Sequence, residues 1–298
     1  MLQEFEYTRK AMGTDCSVAI VCELKEKADI QAEIAFEAIT KYENIFSRFK
    51  KESELSLINN NAQNVVSDIF LEVIQEAYAL FTKTQGVFNP LVQIERFGYD
   101  THFDLLTGKK VPENNKLYNV DFSSTVIDVE HNQITLQEGQ KLDVGGFLKG
   151  YLATKLCNHI QQSSKEITGV IVNIGGDLHT TGVDTQGQRF LFDIHNPVRN
   201  SPVTIALYNQ SLATSGTYKR RWKNGEKIVN HILDATGMRN PHSEIISASV
   251  IHENGASAEA YAKVFLSHRP EEALKILPDH HFSYITITHE GSIQSNIV

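Results

Sequence analysis

Residues 142–161 read LDVGGFLKGYLATKLCNHIQ, and residues 169–177 read GVIVNIGGD. The first stretch sets a Gly-Gly pair in front of a helical spacing of apolar residues, which predicts a helix over 149–161. The second is a short run of Val and Ile that stops at two more glycines, the pattern of a buried strand over 169–174. Outward from there, CSVAIVC at 16–22 reads as another strand. Ile34, Ala35, Ala38, Ile39, Tyr42, Ile45 and Phe46 recur at helical spacing, with Glu33, Glu37 and Lys41 between them. A further helix is expected over 68–83, with Ser67 as its N-cap and Gly86 as its stop. Residues 99–140 are polar and turn-rich, with a short strand at 126–129. Beyond the helix at 149–161 the chain becomes β-rich, with strands at 190–194, 203–207, 245–251 and 282–288 and helices at 256–268 and 270–277. No repeat, low-complexity run or linker interrupts it, so the expectation is one α+β domain over 1–298.

Composition narrows the function classes. Lys and Arg number 28 against 36 Asp and Glu, a net charge of −8. That balance argues against a nucleic-acid backbone or an anionic membrane surface as the main partner. Apolar residues make up 41% of the chain, enough for a packed core. No run approaches the roughly 18 apolar residues of a membrane span. MLQEFEYTRK at the start has no basic stretch followed by an apolar one, so the expected location is the cytoplasm. Cys16, Cys22 and Cys157 are too few and too scattered for a disulfide framework or a zinc site, and read as buried thiols.

Five clusters are richer in Gly and polar groups than turns between core elements require. Gly145-Gly146 before a helix carrying Lys149 is either a phosphate cradle or a tight turn with a surface lysine. Asp177, after Gly175-Gly176, is a turn residue or a ligand contact at a strand end. Ala213-Thr214-Ser215-Gly216-Thr217-Tyr218 lets a backbone approach a ligand. The basic run Lys219, Arg220 and Arg221 after it is a solvated face or a partner for phosphates. His231, in HILDATG at 231–237, is a structural histidine or a general base. Glu259 and Lys263 stand at i and i+4, the order of a helical ion pair. GxSxG, GxxxxGK[ST], HExxH and GxGxxG are all absent.

Taken in order, these clusters resemble the ApbE family, the flavin transferases that move FMN from FAD to a protein threonine. The resemblance covers nearly the whole chain. It starts at Ala11-Met12-Gly13-Thr14 and continues at Phe46-Ser47-Arg48-Phe49 with Ser53, Glu54, Leu55, Ser56 and Asn59. It runs on through Gly86-Val87-Phe88-Asn89-Pro90, LDVGGFLKGY, IGGD, ATSGTY and HILDATG, and ends at AEAYAK over 258–263. It implies a T-fold-related α+β core with FAD in a cleft. It further implies that Met12 and Phe49 lie against the flavin or adenine and that Asp143 and Lys149 contact FAD. Asn89, Asp177, Thr214, Ser215 and Leu233 would extend that contact. His231 would activate the acceptor hydroxyl. The Gly146 carbonyl would coordinate Mg²⁺, with the residues at Glu259, Ala262 and Lys263 completing the metal site. The implied partner is a flavoprotein subunit with a target Thr or Ser.

Three positions depart from the family pattern. Asn89 and Glu259 each stand where the family has Asp, and Lys263 stands for a metal-binding Thr. A carboxylate one methylene longer still offers oxygen to Mg²⁺, whereas an ammonium has donors and no acceptor. Two expectations follow. Either Lys263 replaces the cation and pairs with Glu259, or it points away and Mg²⁺ binds with more waters. Transfer of FMN is the leading expectation. A binding-only relative or flavin carrier, and a pyrophosphatase yielding FMN and AMP, are the alternatives.

Overall fold

The computed structural model describes residues 1–61, 64–99, 118–224, 227–278 and 281–297. Most of the turn-rich segment expected at 99–140 therefore falls within the description, but 100–117 lie outside it. Strands β1 (Gln3–Ala11) and β2 (Thr14–Cys22) form a hairpin closed by Met12-Gly13, with φ of 52° and 69°. Two positive φ values make a primed turn, whose twist suits a hairpin. Helix α1 (Lys25–Phe46) buries Ala28, Ala32, Ala35, Ile39, Tyr42 and Phe46 along one stripe. Helix α2 (Glu54–Asn59) follows, capped by the Ser53 hydroxyl. In α3 (Asp68–Lys83) the Ser67 hydroxyl accepts from Phe70 N at 3.2 Å. Gly86, at φ +79°, donates back to Phe81 O and ends that helical segment. Strands β3 (Val126–Asp128) and β4 (Gln133–Thr135) make a short hairpin.

Helix α4 (Leu148–Ser163) leads into β5 (Gly169–Ile174) and β6 (Asp177–Gly182). Strands β7 (Phe190–Ile194) and β8 (Val203–Leu207) pair with each other. After β9 (Ser211–Gly216) comes a small hairpin, β10 (Arg221–Asn224) with β11 (Lys227–Asn230). The chain closes with β12 (Ile245–His252), α5 (Gly255–Ser267), α6 (Pro270–Ile276), β13 (Ser283–Thr288) and β14 (Ile293–Ser295).

Eight strands form an antiparallel sheet in the order β1-β2-β5-β6-β9-β12-β13-β14. Alternation sends Val18, Ile20, Val170, Val172, Ala248 and Val250 into one core with α1, α3, α4 and α5. Leu178, Leu212, Ile251, Ile285 and Ile287 face the other way, onto Ile194, Ile205 and Leu207 of the β7–β8 hairpin. The architecture is α+β. Cys16, Cys22 and Cys157 are buried and unbridged. Among the described residues, no helix is long and apolar enough to cross a membrane.

Two strands carry little apolar signal. β1 is an exposed edge strand that touches the core mainly through Phe5 and Tyr7. β9 spells SLATSG, and its ATSG portion forms a strand inside the sheet. Asp177 is likewise no turn residue, since it opens β6 and is buried.

Candidate active site

The close approach of α4 to α5 sets up the site. A Cβ on Gly150 would lie 2.2 Å from Gly255 O, so only glycine lets the two helices touch there. That contact brings the partly exposed Lys149 and Lys263 together with the buried Glu259. Lys149 Nζ binds Glu259 Oε1 at 3.0 Å and pairs with the Asp177 carboxylate. Gly150 N donates to Glu259 Oε2 at 3.1 Å, so this helix-start amide serves a carboxylate of the chain itself. Lys263 Nζ donates to Gly146 O at 2.6 Å, to Glu259 O at 3.2 Å and to Glu259 Oε1 at 3.5 Å. Burial opposes charge on Lys149, but Asp177 and Glu259 override it and hold the ammonium protonated. Burial likewise opposes charge on Glu259, and Lys149 and Lys263 hold its carboxyl below the ordinary range.

Above this floor lies a cleft with a cavity volume of about 270 Å³. The β1–β2 turn presents Met12, whose amide donates to Glu43 Oε2 of α1 at 2.7 Å. Just past α1, the Arg48 guanidinium packs on the rings of both Phe49 and Tyr99, 4.6 and 4.5 Å from their centroids. Arg48 Nε also faces Asp143 Oδ2 at 3.8 Å, and Asp143 Oδ1 accepts from Gly145 N at 2.8 Å. The loop holding Asp143 is fixed by Asn59, which exchanges two hydrogen bonds with the Leu142 backbone, at 2.8 and 2.7 Å.

The remaining wall is the loop after β11. Asn240 ties it: Nδ2 donates to Asn230 O at 2.9 Å and Ile232 O at 2.6 Å, while Oδ1 accepts from Asn230 N at 3.1 Å. These bonds bracket His231, whose buried Nδ1 has no hydrogen-bond partner. Burial, with the Arg220 and Lys263 charges beside it, pushes the His231 pKa down to about 3, so the imidazole is neutral.

A family model for the ApbE family matches residues 12–286. The chain belongs to the ApbE family. It is 26% identical over 269 residues to the FAD:protein FMN transferase of Klebsiella pneumoniae (strain 342), covering 86% of this chain and 80% of that protein. The FAD:protein FMN transferase of Escherichia coli (strain K12) is 23% identical over 95% of this chain and 83% of its own. Among solved structures, the ApbE protein of Thermotoga maritima superposes with a TM-score of 0.86 at 23% identity, covering 98% and 96% of the two chains. The flavin transferase ApbE from Vibrio cholerae gives 0.81 at 18% identity, covering 99% and 97%.

Within this ApbE fold, Met12, Phe49, Asn89, Asp143, Gly146, Lys149, His231, Leu233 and Lys263 all line the one cleft. Asp177 and Glu259 lie beneath it, ion-paired to Lys149. Ala262 is fully buried on α5. Thr214 and Ser215 do not line the cleft, and the Thr214 hydroxyl bonds Ser249 Oγ at 2.8 Å across the sheet. Asn89 Nδ2 donates to Val120 O at 2.8 Å and Ala235 O at 3.5 Å, bonds an Asp carboxylate has no proton to make.

Glu43, Arg220 and Tyr99 also line the cleft, and Asn240 positions its wall. None was singled out from sequence as a site residue, although Arg220 sits in the basic run noted above.

The arrangement of Gly146, Glu259 and Lys263 does not fit a divalent ion. Lys263 places an ammonium on the Gly146 carbonyl, and it points into the cleft rather than away. An ammonium has no lone pair to give a metal. Both Glu259 oxygens already accept hydrogen bonds. Among the described residues, no group of three His, Cys, Asp or Glu side chains is placed to hold an ion.

Proposed function

We propose that this protein is an FAD:protein FMN transferase that moves FMN from FAD to a Thr or Ser of an acceptor flavoprotein. The observation that carries this is the convergence, in one cleft, of a two-lysine floor with a neutral histidine and an aromatic wall. FAD is an elongated ligand with flat rings at its ends and a pyrophosphate between them. Met12, Phe49 and Tyr99 suit the rings, and Lys149 and Lys263 suit the pyrophosphate.

In the reaction, the acceptor hydroxyl oxygen attacks the phosphorus on the FMN side. A new O–P bond forms, the bond from that phosphorus to the bridging oxygen breaks, and AMP leaves with the bonding electrons. The hydroxyl proton goes to the neutral His231 imidazole, which lines the cleft. The pyrophosphate's negative charge beside the ring raises its proton affinity, so a group held neutral in the free protein becomes an effective base in the complex. Positioning and charge neutralisation account for most of the rate in such transfers, and a general base adds on the order of 10²–10⁴-fold.

The test is to incubate the protein with FAD and a folded acceptor domain, then measure AMP release and acceptor mass. AMP with an FMN-sized mass gain on the acceptor supports transfer. AMP with free FMN and unlabelled acceptor favours the pyrophosphatase reading. FAD bound and left intact favours the carrier reading.

A further inference from the structure

We propose that Lys263 is a built-in cation, occupying the position of a divalent ion at the pyrophosphate, so that this chain binds FAD without metal. The inference rests on the FAD-cleft reading above and concerns how that site handles charge.

Three observations carry it. First, the ammonium sits in an oxygen cradle, with Gly146 O at 2.6 Å, Glu259 O at 3.2 Å and Glu259 Oε1 at 3.5 Å. These are two backbone carbonyls and a carboxylate, the hard oxygen donors a divalent cation would also take. A cation placed on the same oxygens would lie against the Lys263 ammonium, whose charge burial and Lys149 oppose and Glu259 and Asp177 support.

Second, the chain is packed around this lysine. A Cβ on Gly146 would lie 3.3 Å from Lys263 Cε and 3.0 Å from the Phe88 ring, so the lysine stem and the Phe88 ring fill the space beside that glycine. The stem is four methylenes long and reaches from α5 to the loop before α4, a span a threonine cannot cross.

Third, the floor is electrically closed. Lys149 and Lys263 face Asp177 and Glu259, two basic groups against two acidic ones, with the cleft otherwise bounded by Arg48, Arg220, Asp143, Glu43 and the neutral His231. The Glu259 carboxylate, one methylene longer than Asp, reaches both Lys149 Nζ and Gly150 N. Each of its oxygens thus already serves a group of the chain, and Lys263 stands on the side from which a metal would approach Oε1. The long 3.5 Å contact leaves one ammonium proton of Lys263 to turn to a phosphate oxygen of the incoming ligand.

FAD binding is measured by calorimetry in EDTA and in excess MgCl₂, and Mn²⁺ binding to the ligand-free protein by electron paramagnetic resonance. For the wild-type protein the expected FAD affinity differs by less than about twofold between the two buffers, and no Mn²⁺ binds at the cleft. Lys263→Met weakens FAD by about tenfold or more in either buffer, the scale of a lost charged hydrogen bond. Lys263→Thr weakens FAD in EDTA, regains affinity with Mg²⁺ and binds Mn²⁺.

Wild-type FAD binding that requires Mg²⁺ would overturn the proposal while leaving the transferase reading intact. So would stoichiometric Mn²⁺ in the wild-type cleft, or a folded Lys263→Met protein with unchanged affinity. If no FAD binds in either buffer, the FAD-cleft reading falls and this inference with it. The wild-type arms decide the matter even where a variant fails to fold.

Discussion

On the floor of the cleft, Lys149, Glu259 and Lys263 project from two helices locked together at Gly150 and Gly255. On its wall, His231, Ile232 and Leu233 hang from a loop whose shape depends on the side chain of Asn240. The floor is largely buried and ion-paired, so its groups are fixed by regular structure and by one another. The wall is held by a few hydrogen bonds, so its shape is cheaper to change. The difference teaches that binding and chemistry separate in this molecule. The floor fixes where charge lies, and the wall aims the proton acceptor.

The most severe way to break this division is Lys149→Met. It leaves Asp177 and Glu259 buried without their shared partner, and breaking a buried ion pair from one side costs about 3–5 kcal/mol. Urea denaturation is expected to show that loss, and FAD affinity is expected to fall with it. A stability change below about 1 kcal/mol would mean that water already reaches these carboxylates.

Asn240→Ala attacks the wall instead. Loss of its bonds to Asn230 and Ile232 is expected to cost about 1–3 kcal/mol of stability. Turnover should fall at least tenfold while FAD affinity stays within about threefold, because the floor is untouched. Equal losses in both would show that floor and wall are not separable.

A pH titration sharpens the comparison from behind the floor. His179 is buried, its Nδ1 bonded to Ser211 Oγ at 2.7 Å, and burial pushes its pKa down to about 4. The unfolded chain takes up this proton near pH 6.5 and the folded protein does not, so stability falls as pH drops from about 6.5 towards 4. The slope from this one group is at most about 1.4 kcal/mol per pH unit. His179→Gln is expected to flatten the wild-type curve in that window, and an unchanged slope would assign it to other groups.

The smallest effect is expected at Thr214→Val. Its hydroxyl bonds Ser249 across the sheet and does not line the cleft, so FAD affinity should change by less than about twofold. A tenfold loss would place part of the ligand on β9.

The same contrast explains what was legible in the sequence. Helices α3 and α4 and strands β5, β7 and β8 announce themselves through periodicity, caps and Val–Ile runs. The floor residues, Lys149 on α4 and Glu259 and Lys263 on α5, were legible as site residues through the motifs that resemble the ApbE family. Strands β1 and β9 were missed, because β1 alternates only briefly, at Phe5 and Tyr7, among charged residues, and β9 is built of small hydroxyl residues. Asn240 and Tyr99 were missed for a different reason. Asn240 clamps Asn230 and Ile232 across an irregular loop, and Tyr99 stacks on Arg48 far back in the chain, and neither contact follows a helical or strand period. The direction of Lys263 was likewise unreadable, since an i,i+4 pair with Glu259 allows the ammonium to face the cleft or solvent.

The most direct measurement of the central claim is a crystal structure of the protein grown with FAD and Mg²⁺. The account predicts the pyrophosphate over Lys149 and Lys263, with a phosphate oxygen within hydrogen-bond distance of Lys263 Nζ and the His231 ring facing the FMN-side phosphorus. FAD bound elsewhere, or a metal ion between Gly146 O and the pyrophosphate with Lys263 displaced, would contradict it.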